Sequence, residues 1–462
     1  MEMGTTGNCR RTPPLWIRAL MVSIFALIGY AAAADTAYEP VIYVEGRDIQ
    51  SVINEAPPYA TVVCDFEERV IDEGGTIVID KPLKLVNLRA RLADHAKRTE
   101  IVLVMAKDVV ITDFRLYGNK GTVEHADRAS LILIGEDNFR VENGFVADAM
   151  RHGIEVRPDL KGEQLYDGAV RNIVSEGIRR DTVSINGDGR NYLYNHNILV
   201  ENIWGYGNED RGPVEVVDGN RNVNVRNVYA EDCEYGVEIH DHAGGPGESQ
   251  EDIIVEGVYV MNTRQAVSSR QQDYNHINLT IRDVSGDNWP PTNRRARVDV
   301  AYFDNVRLEN IRINNNTGAV GVSVRQSKGV MLRDIFVHNH GEAEESIEPR
   351  VLQGFLDAAF GGAAEAPPAV EIVDCSDVLV DGVLVRGDIA RGSTPLSYRL
   401  TGDWGSHRNL QIHNVSAPGA VGILLEREDE NVSLENYMVS GNLARVQDEI
   451  AGEGAMISNN ME

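Results

Sequence analysis

The sequence predicts an all-β chain: a single-stranded, right-handed parallel β-helix, a solenoid of about twelve coils with an N-terminal capping helix. Three observations predict it. A short motif of alternating apolar residues, closed by Asn, Asp or Gly, recurs along the chain, as in Val110-Ile111-Thr112-Asp113-Phe114 and Leu199-Val200-Glu201-Asn202-Ile203. Its key position falls at 113, 143, 172, 202, 227, 257, 283, 310, 334, 382, 414 and 436, with most steps 24 to 30 residues long. The period of two marks strands with one buried face, and Val and Ile dominate that face. Asn, Asp and Gly are the residues that accept left-handed backbone and bend a chain sharply. A unit of this length cannot bury its apolar face alone, whereas stacked units can. A leucine-rich repeat would show fixed Leu positions and helix signals between strands, and both are missing.

The elements follow in order. Arg10, Arg11 and Arg18 precede a short apolar run, Ala19 to Tyr30, and the small residues Ala31 to Ala34. This pattern predicts a signal peptide over 1–34, with no stable membrane insertion after cleavage and a periplasmic or secreted product. The apolar residues Ile49, Val52 and Ile53 have helical spacing, so 48–56 is expected to cap the first coil and cover its open strand edges. Coils then occupy 35–445. The long step from 334 to 382 contains an Ala-, Glu- and Gly-rich stretch, read as an inserted helix-loop at about 341–368. Residues 446–462 read as a polar C-terminal tail.

Composition narrows the function classes. The chain of 462 residues carries 71 acidic and 44 basic side chains, a net charge of −27. A protein so acidic is not a general binder of nucleic acid or anionic membrane. With four Cys it is not a disulfide-stapled mini-fold, and an odd number left after export leaves at least one thiol free.

The second strand of each coil carries the chemistry. Coils stack about 4.8 Å apart, so equivalent side chains form columns. With Ile154, Val183, Val214, Val237, Val267 and Val298 pointing inward, the outward column is Glu155, Ser184, Glu215, Glu238, Ser268 and Asp299. Two residues further on stand Arg157, Asn186, Val217, His240 and Arg270. Before the strands come Arg151-His152, Arg180-Asp181, Asp210-Arg211, Glu234 and Arg264. Glu215 and Glu238 are expected to face each other across one coil spacing. Carboxylates so close share a proton or bind a cation such as Ca²⁺, which is the candidate metal site. His240 is the natural proton-transfer group. Arg180, Arg211, Arg264 and Arg270, with His152, are candidates for holding an anionic ligand.

The periodicity and turns resemble the right-handed β-helix of the pectin-lyase-like superfamily over roughly 40–445. Within it, polygalacturonases resemble this stretch in register. They carry Asn-Thr-Asp-Gly, Gly-Asp-Asp, Gly-His-Gly and Arg-Ile-Lys on successive coils. The matching positions here are Met150-Arg151-His152-Gly153, then Arg179-Arg180-Asp181, then Arg211-Gly212-Pro213-Val214-Glu215, then Gly236-Val237-Glu238-Ile239-His240. Asp181 keeps one family carboxylate, while most other catalytic identities differ. The resemblance implies a carbohydrate-active enzyme on an acidic polysaccharide, uronic-acid or sulfated. The Arg- and His-rich row favours β-elimination, with His240 as base or acid. The alternatives are an inverting hydrolase using Asp181 with Glu215 or Glu238, a non-catalytic glycan-binding or adhesin-like β-helix, and a uronate C5-epimerase.

Overall fold

A computed structural model describes residues 38–462, apart from 98–99, 122–129, 243–245, 271–275, 291–295, 317, 341–366, 390–392, 403–406, 417–421, 429–431, 443, 451–455 and 459–462. The expected signal peptide and almost all of the expected insertion therefore lie outside the described residues.

Each coil contributes strands to two stacks of parallel strands, a narrow one of fourteen and a wide one of nineteen among the described residues. Every strand pairing is parallel and links one coil to the next. The result is a β-solenoid of about twelve turns. Val and Ile columns fill its centre: Ile154, Val183, Val214, Val237, Val267 and Val298 stack in register and are fully buried. Burying one such side chain contributes about 1.5–3 kcal/mol. α1 (Ile49–Glu55) starts where the sequence places it, with Asp48 as its N-cap accepting from Ser51 N, and it buries Ile49, Val52 and Ile53. Val446–Asp448 and Met456–Ser458 add strands to the two stacks, so coiling continues past 445.

All twelve key positions adopt positive φ, from Asp113 at 58° to Asn436 at 55°. The side chains form ladders. Asn172 donates to Asn143, Asn202 to Asn172 and Asn227 to Asn202, each at 2.8–3.0 Å. The residue just before each key position forms a second column on the wide stack. Glu142, Arg171, Glu201, Arg226, Glu256, Arg282, Glu309, Arg333 and Asp381 stand in register and alternate in charge without a break. Opposite charges on adjacent strands attract, whereas a one-residue slip would set each charge against an apolar or turn position of its neighbour.

The narrow stack bears the candidate site. Its relevant strands are β1 (Ile154–Val156), β2 (Val183–Asn186), β3 (Val214–Val217), β4 (Tyr235–His240), β5 (Gln265–Arg270) and β6 (Val298–Ala301).

Candidate active site

The expected column forms in the expected register: Glu155 pairs with Ser184, Ser184 with Glu215, Glu215 with Glu238, Glu238 with Ser268, and Ser268 with Asp299. The column points outward, as expected, but is not exposed. Glu155, Glu215 and Glu238 point away from the apolar core yet are at most 2% exposed. Burying three carboxylates without counter-charge would cost several kcal/mol each, and guanidinium groups supply it. Arg151 Nη2 lies 2.9 Å from Glu155. Arg180 and Arg211 each reach one coil onward, Arg180 to Glu215 at 3.6 Å and Arg211 to Glu238 at 2.5 Å. These guanidinium side chains, 16% and 22% exposed for Arg180 and Arg211, roof the carboxylates and meet solvent.

Two histidines complete the cluster. His240 ends β4 and its Nε2 lies 2.9 Å from Glu215 Oε1 and 3.8 Å from Glu238 Oε2. Ser184 Oγ donates to the other Glu215 oxygen at 2.7 Å. The other ring nitrogen, Nδ1, lies 3.4 Å from the Asp241 carbonyl oxygen, so both nitrogens of His240 face acceptors. His152, fully buried, sets Nδ1 3.3 Å from Asp181 Oδ2. Tyr235, at the start of β4, donates its hydroxyl to Asp181 Oδ1 at 2.6 Å. Its ring lies across Gly212 on the intervening coil, where an added Cβ would fall 2.4 Å from Tyr235 Cδ2.

These contacts drive the two central carboxyls apart. Burial, then the charge of Glu215, raises Asp181 above its usual 3.8, against the pull of His152 and Tyr235. Burial also pushes Glu215 up, but the hydrogen bond and charge of His240, with His152 and Arg180, outweigh it and hold Glu215 well below 4.5. Glu155 is likewise held low, because His152, Arg151, Ser130 and Arg157 together outweigh its burial. A carboxyl whose proton affinity is raised thus stands beside one whose proton affinity is lowered, a division that acid–base chemistry uses.

Two trios, His152–Asp181–Glu215 and Glu215–Glu238–His240, bring their nitrogen and oxygen atoms within 4.8 Å of one another, close enough to share a cation. A Ca²⁺ ion at Glu215 and Glu238 is a poor fit. Ca²⁺ takes six to eight oxygen ligands. Both Glu215 oxygens and Oε2 of Glu238 already face His240, Ser184, Arg180 or Arg211. The protein's own cations fill the place assigned to the metal.

Of the residues singled out in the sequence, the fold thus brings together Asp181, Glu215, Glu238, His240, His152, Arg180 and Arg211. Arg264 stands apart, half exposed and paired with Glu234 at 2.8 Å. Arg270 pairs in register with His240, while its side chain lies outside the described residues. Tyr235 is not among the site residues that the sequence singles out. Its polar role depends on Gly212, a small residue one coil earlier, and that is the signal the sequence held.

No protein-family model matches the chain, and no curated protein sequence matches it. Solved structures do. The A-module of a mannuronan C-5 epimerase from Azotobacter vinelandii aligns over 89% of this chain and 92% of its own, at 13% identity and a TM-score of 0.41. A family 28 exopolygalacturonase from Yersinia enterocolitica aligns over 88% and 79%, at 8% identity and a TM-score of 0.40. The catalytic domain of a GH87 α-1,3-glucanase aligns over 93% and 70%, at 10% identity and a TM-score of 0.36.

Proposed function

We propose that the protein is an enzyme that cleaves an acidic polysaccharide by β-elimination at a uronic-acid residue. One observation carries the reading: His240, Glu215 and Glu238 converge within 4.8 Å beneath two guanidinium groups that reach solvent. Arg180 and Arg211 meet the substrate carboxylate and draw negative charge from the adjacent carbon. In its neutral form the His240 imidazole takes the proton on that carbon, and Glu215 stabilises the imidazolium that forms. The electron pair forms the new double bond as the bond to the glycosidic oxygen breaks. The Tyr235–Asp181 pair returns a proton to that oxygen.

An inverting hydrolase fits less well. Its two carboxyls stand about 6.5–9.5 Å apart to admit a water. The nearest oxygens of Asp181 and Glu215 lie within 4.8 Å, which counts against that pair of the two that Asp181 could form with Glu215 or Glu238. Reprotonation of the same carbon from the Tyr235 side would instead give a C5-epimerase.

The test is a screen of residues 35–462 on uronate and sulfated polysaccharides in deuterated buffer. Unsaturated-sugar absorbance, reducing ends and deuterium incorporation are followed together. Elimination raises the first two signals, and His240→Ala abolishes both. Reducing ends without unsaturation would replace the reading with hydrolysis. Deuterium uptake without cleavage would replace it with epimerisation, and no signal on any polymer would refute catalysis on this substrate class.

A further inference from the structure

We infer that the buried pair Asp241–His276 is a positioning device for His240. The inference rests on the proton-transfer role of His240 proposed above.

The turn after β4 has to hold the His240 ring against two carboxylates, yet β4 ends at that residue. Two hydrogen bonds, one ion-pair approach and the 240–241 peptide link close a ring around it. Gln250 Nε2 donates to the His240 carbonyl at 3.2 Å. The Gln250 backbone N–H donates to His276 Nδ1 at 2.9 Å. Because Nδ1 accepts, the neutral ring carries its proton on Nε2. That Nε2 faces Asp241 Oδ2 at 3.4 Å, and both side chains are fully buried. Asp241 follows His240 directly, so the ring returns to its starting point. A second clasp lies beyond it: His242 N donates to Asp218 Oδ1 at 2.9 Å and to Glu248 Oε2 at 3.0 Å. Asp218 N in turn donates to the His240 carbonyl at 3.2 Å.

The ring thus ties residues 240 and 241 to the strand of the next coil, Gln250–Met261, and through His276 to the coil after that. Gln250, His276 and Asp241 act on the site through the His240 and Asp241 backbone, which sets where the imidazole ring sits. An error of about 1 Å in a reacting group can cost about a hundredfold in rate.

The protein carries its own control. His407 and Asp374, far along the solenoid, form a similarly buried pair at 3.7 Å, with His407 Nδ1 3.2 Å from the Cys375 carbonyl. That pair has no part in the cluster.

Asp241→Ala, Asp241→Asn, His276→Ala and His407→Ala are compared by thermal melting and by kcat and KM on the cleaved polysaccharide. Asp241→Ala and His276→Ala are expected to lower kcat at least about tenfold, with KM unchanged. Asp241→Asn keeps an oxygen acceptor for His276 and is expected to restore most of kcat. His407→Ala is expected to melt earlier but to keep kcat. Unchanged kcat in Asp241→Ala, or an equal loss in His407→Ala, would overturn the inference. If the wild type cleaves nothing, the function reading fails by itself. The positioning is then read from ¹⁵N-histidine NMR, with the His240 signals assigned through His240→Ala. Shifted ring nitrogens in Asp241→Ala uphold it, and unshifted ones overturn it.

Discussion

Tyr235 Oη stands 2.6 Å from Asp181 Oδ1 although a whole coil lies between their strands. The link exists because Gly212, on that coil, presents no side chain to the tyrosine ring. Gly212→Ala places a methyl 2.0 Å from the Tyr235 carbonyl oxygen and 2.4 Å from its ring. The backbone must shift, at an expected cost of about 2–3 kcal/mol. Urea unfolding measures that loss, and the activity of Gly212→Ala is expected to fall with that of Tyr235→Phe.

Tyr235→Phe removes the donor to a buried carboxyl and leaves the ring in place. The expected loss is about 1–3 kcal/mol, with a larger proportional fall in kcat than in 1/KM. Equal activity of Tyr235→Phe and wild type would remove Tyr235 from the acid role.

The pH dependence of stability follows from the two central carboxyls. Glu215 is held well below 4.5, so its stabilising contribution is complete above pH 4.5 and is lost as pH falls through the depressed value. Glu215→Gln is therefore expected to be about 3 kcal/mol less stable than wild type near neutral pH, with the gap closing in acid. Asp181 works in the reverse sense. Its value is raised, so its contribution is present below 3.8 and is lost as pH rises through the raised value. Asp181→Asn should thus gain on the wild type as pH rises while losing activity. Urea melts across a pH series check both signs.

The charge ladder of the wide stack predicts a register effect separate from activity. Glu256 lies between Arg226 at 3.7 Å and Arg282 at 2.9 Å. Glu256→Arg would set three guanidinium groups on consecutive coils. These side chains are partly exposed, so the expected loss is only about 1 kcal/mol and shrinks with added salt. kcat should not change.

The three described cysteines are buried and unpaired, and burial pushes each thiol up to about 12. Native protein should leave Cys64, Cys233 and Cys375 unalkylated by iodoacetamide, and urea-unfolded protein should modify all three, as mass spectrometry would show.

Much of this molecule was readable because its repeat is local. Twelve Asn, Asp and Gly positions identified the turns, and the register they imply places Glu215 against Glu238 as expected. The burial of that pair was not readable. It depends on Arg180 and Arg211 reaching across to the next coil, and side-chain reach leaves no periodic trace. The alternating ladder from Glu142 to Asp381 was present at one offset before the turns, but only the coil register turns nine scattered charges into a column. The Asp241–His276 pair was hidden for a similar reason: 35 positions separate two residues that the coiling brings together.

The asparagine ladders also fix how the molecule ages. Asn172, Asn202 and Asn227 each donate to the preceding coil, whereas Asp167, Asp252 and Asp283 stand at ladder starts and only accept. Hydrolysis of the Asn202 amide to a carboxylate would remove its donor and face it with the Asn172 oxygen. Slow deamidation in storage is therefore not neutral wear. Each event inside a ladder converts one rung from attraction to repulsion, so old preparations should open first at their interior asparagines.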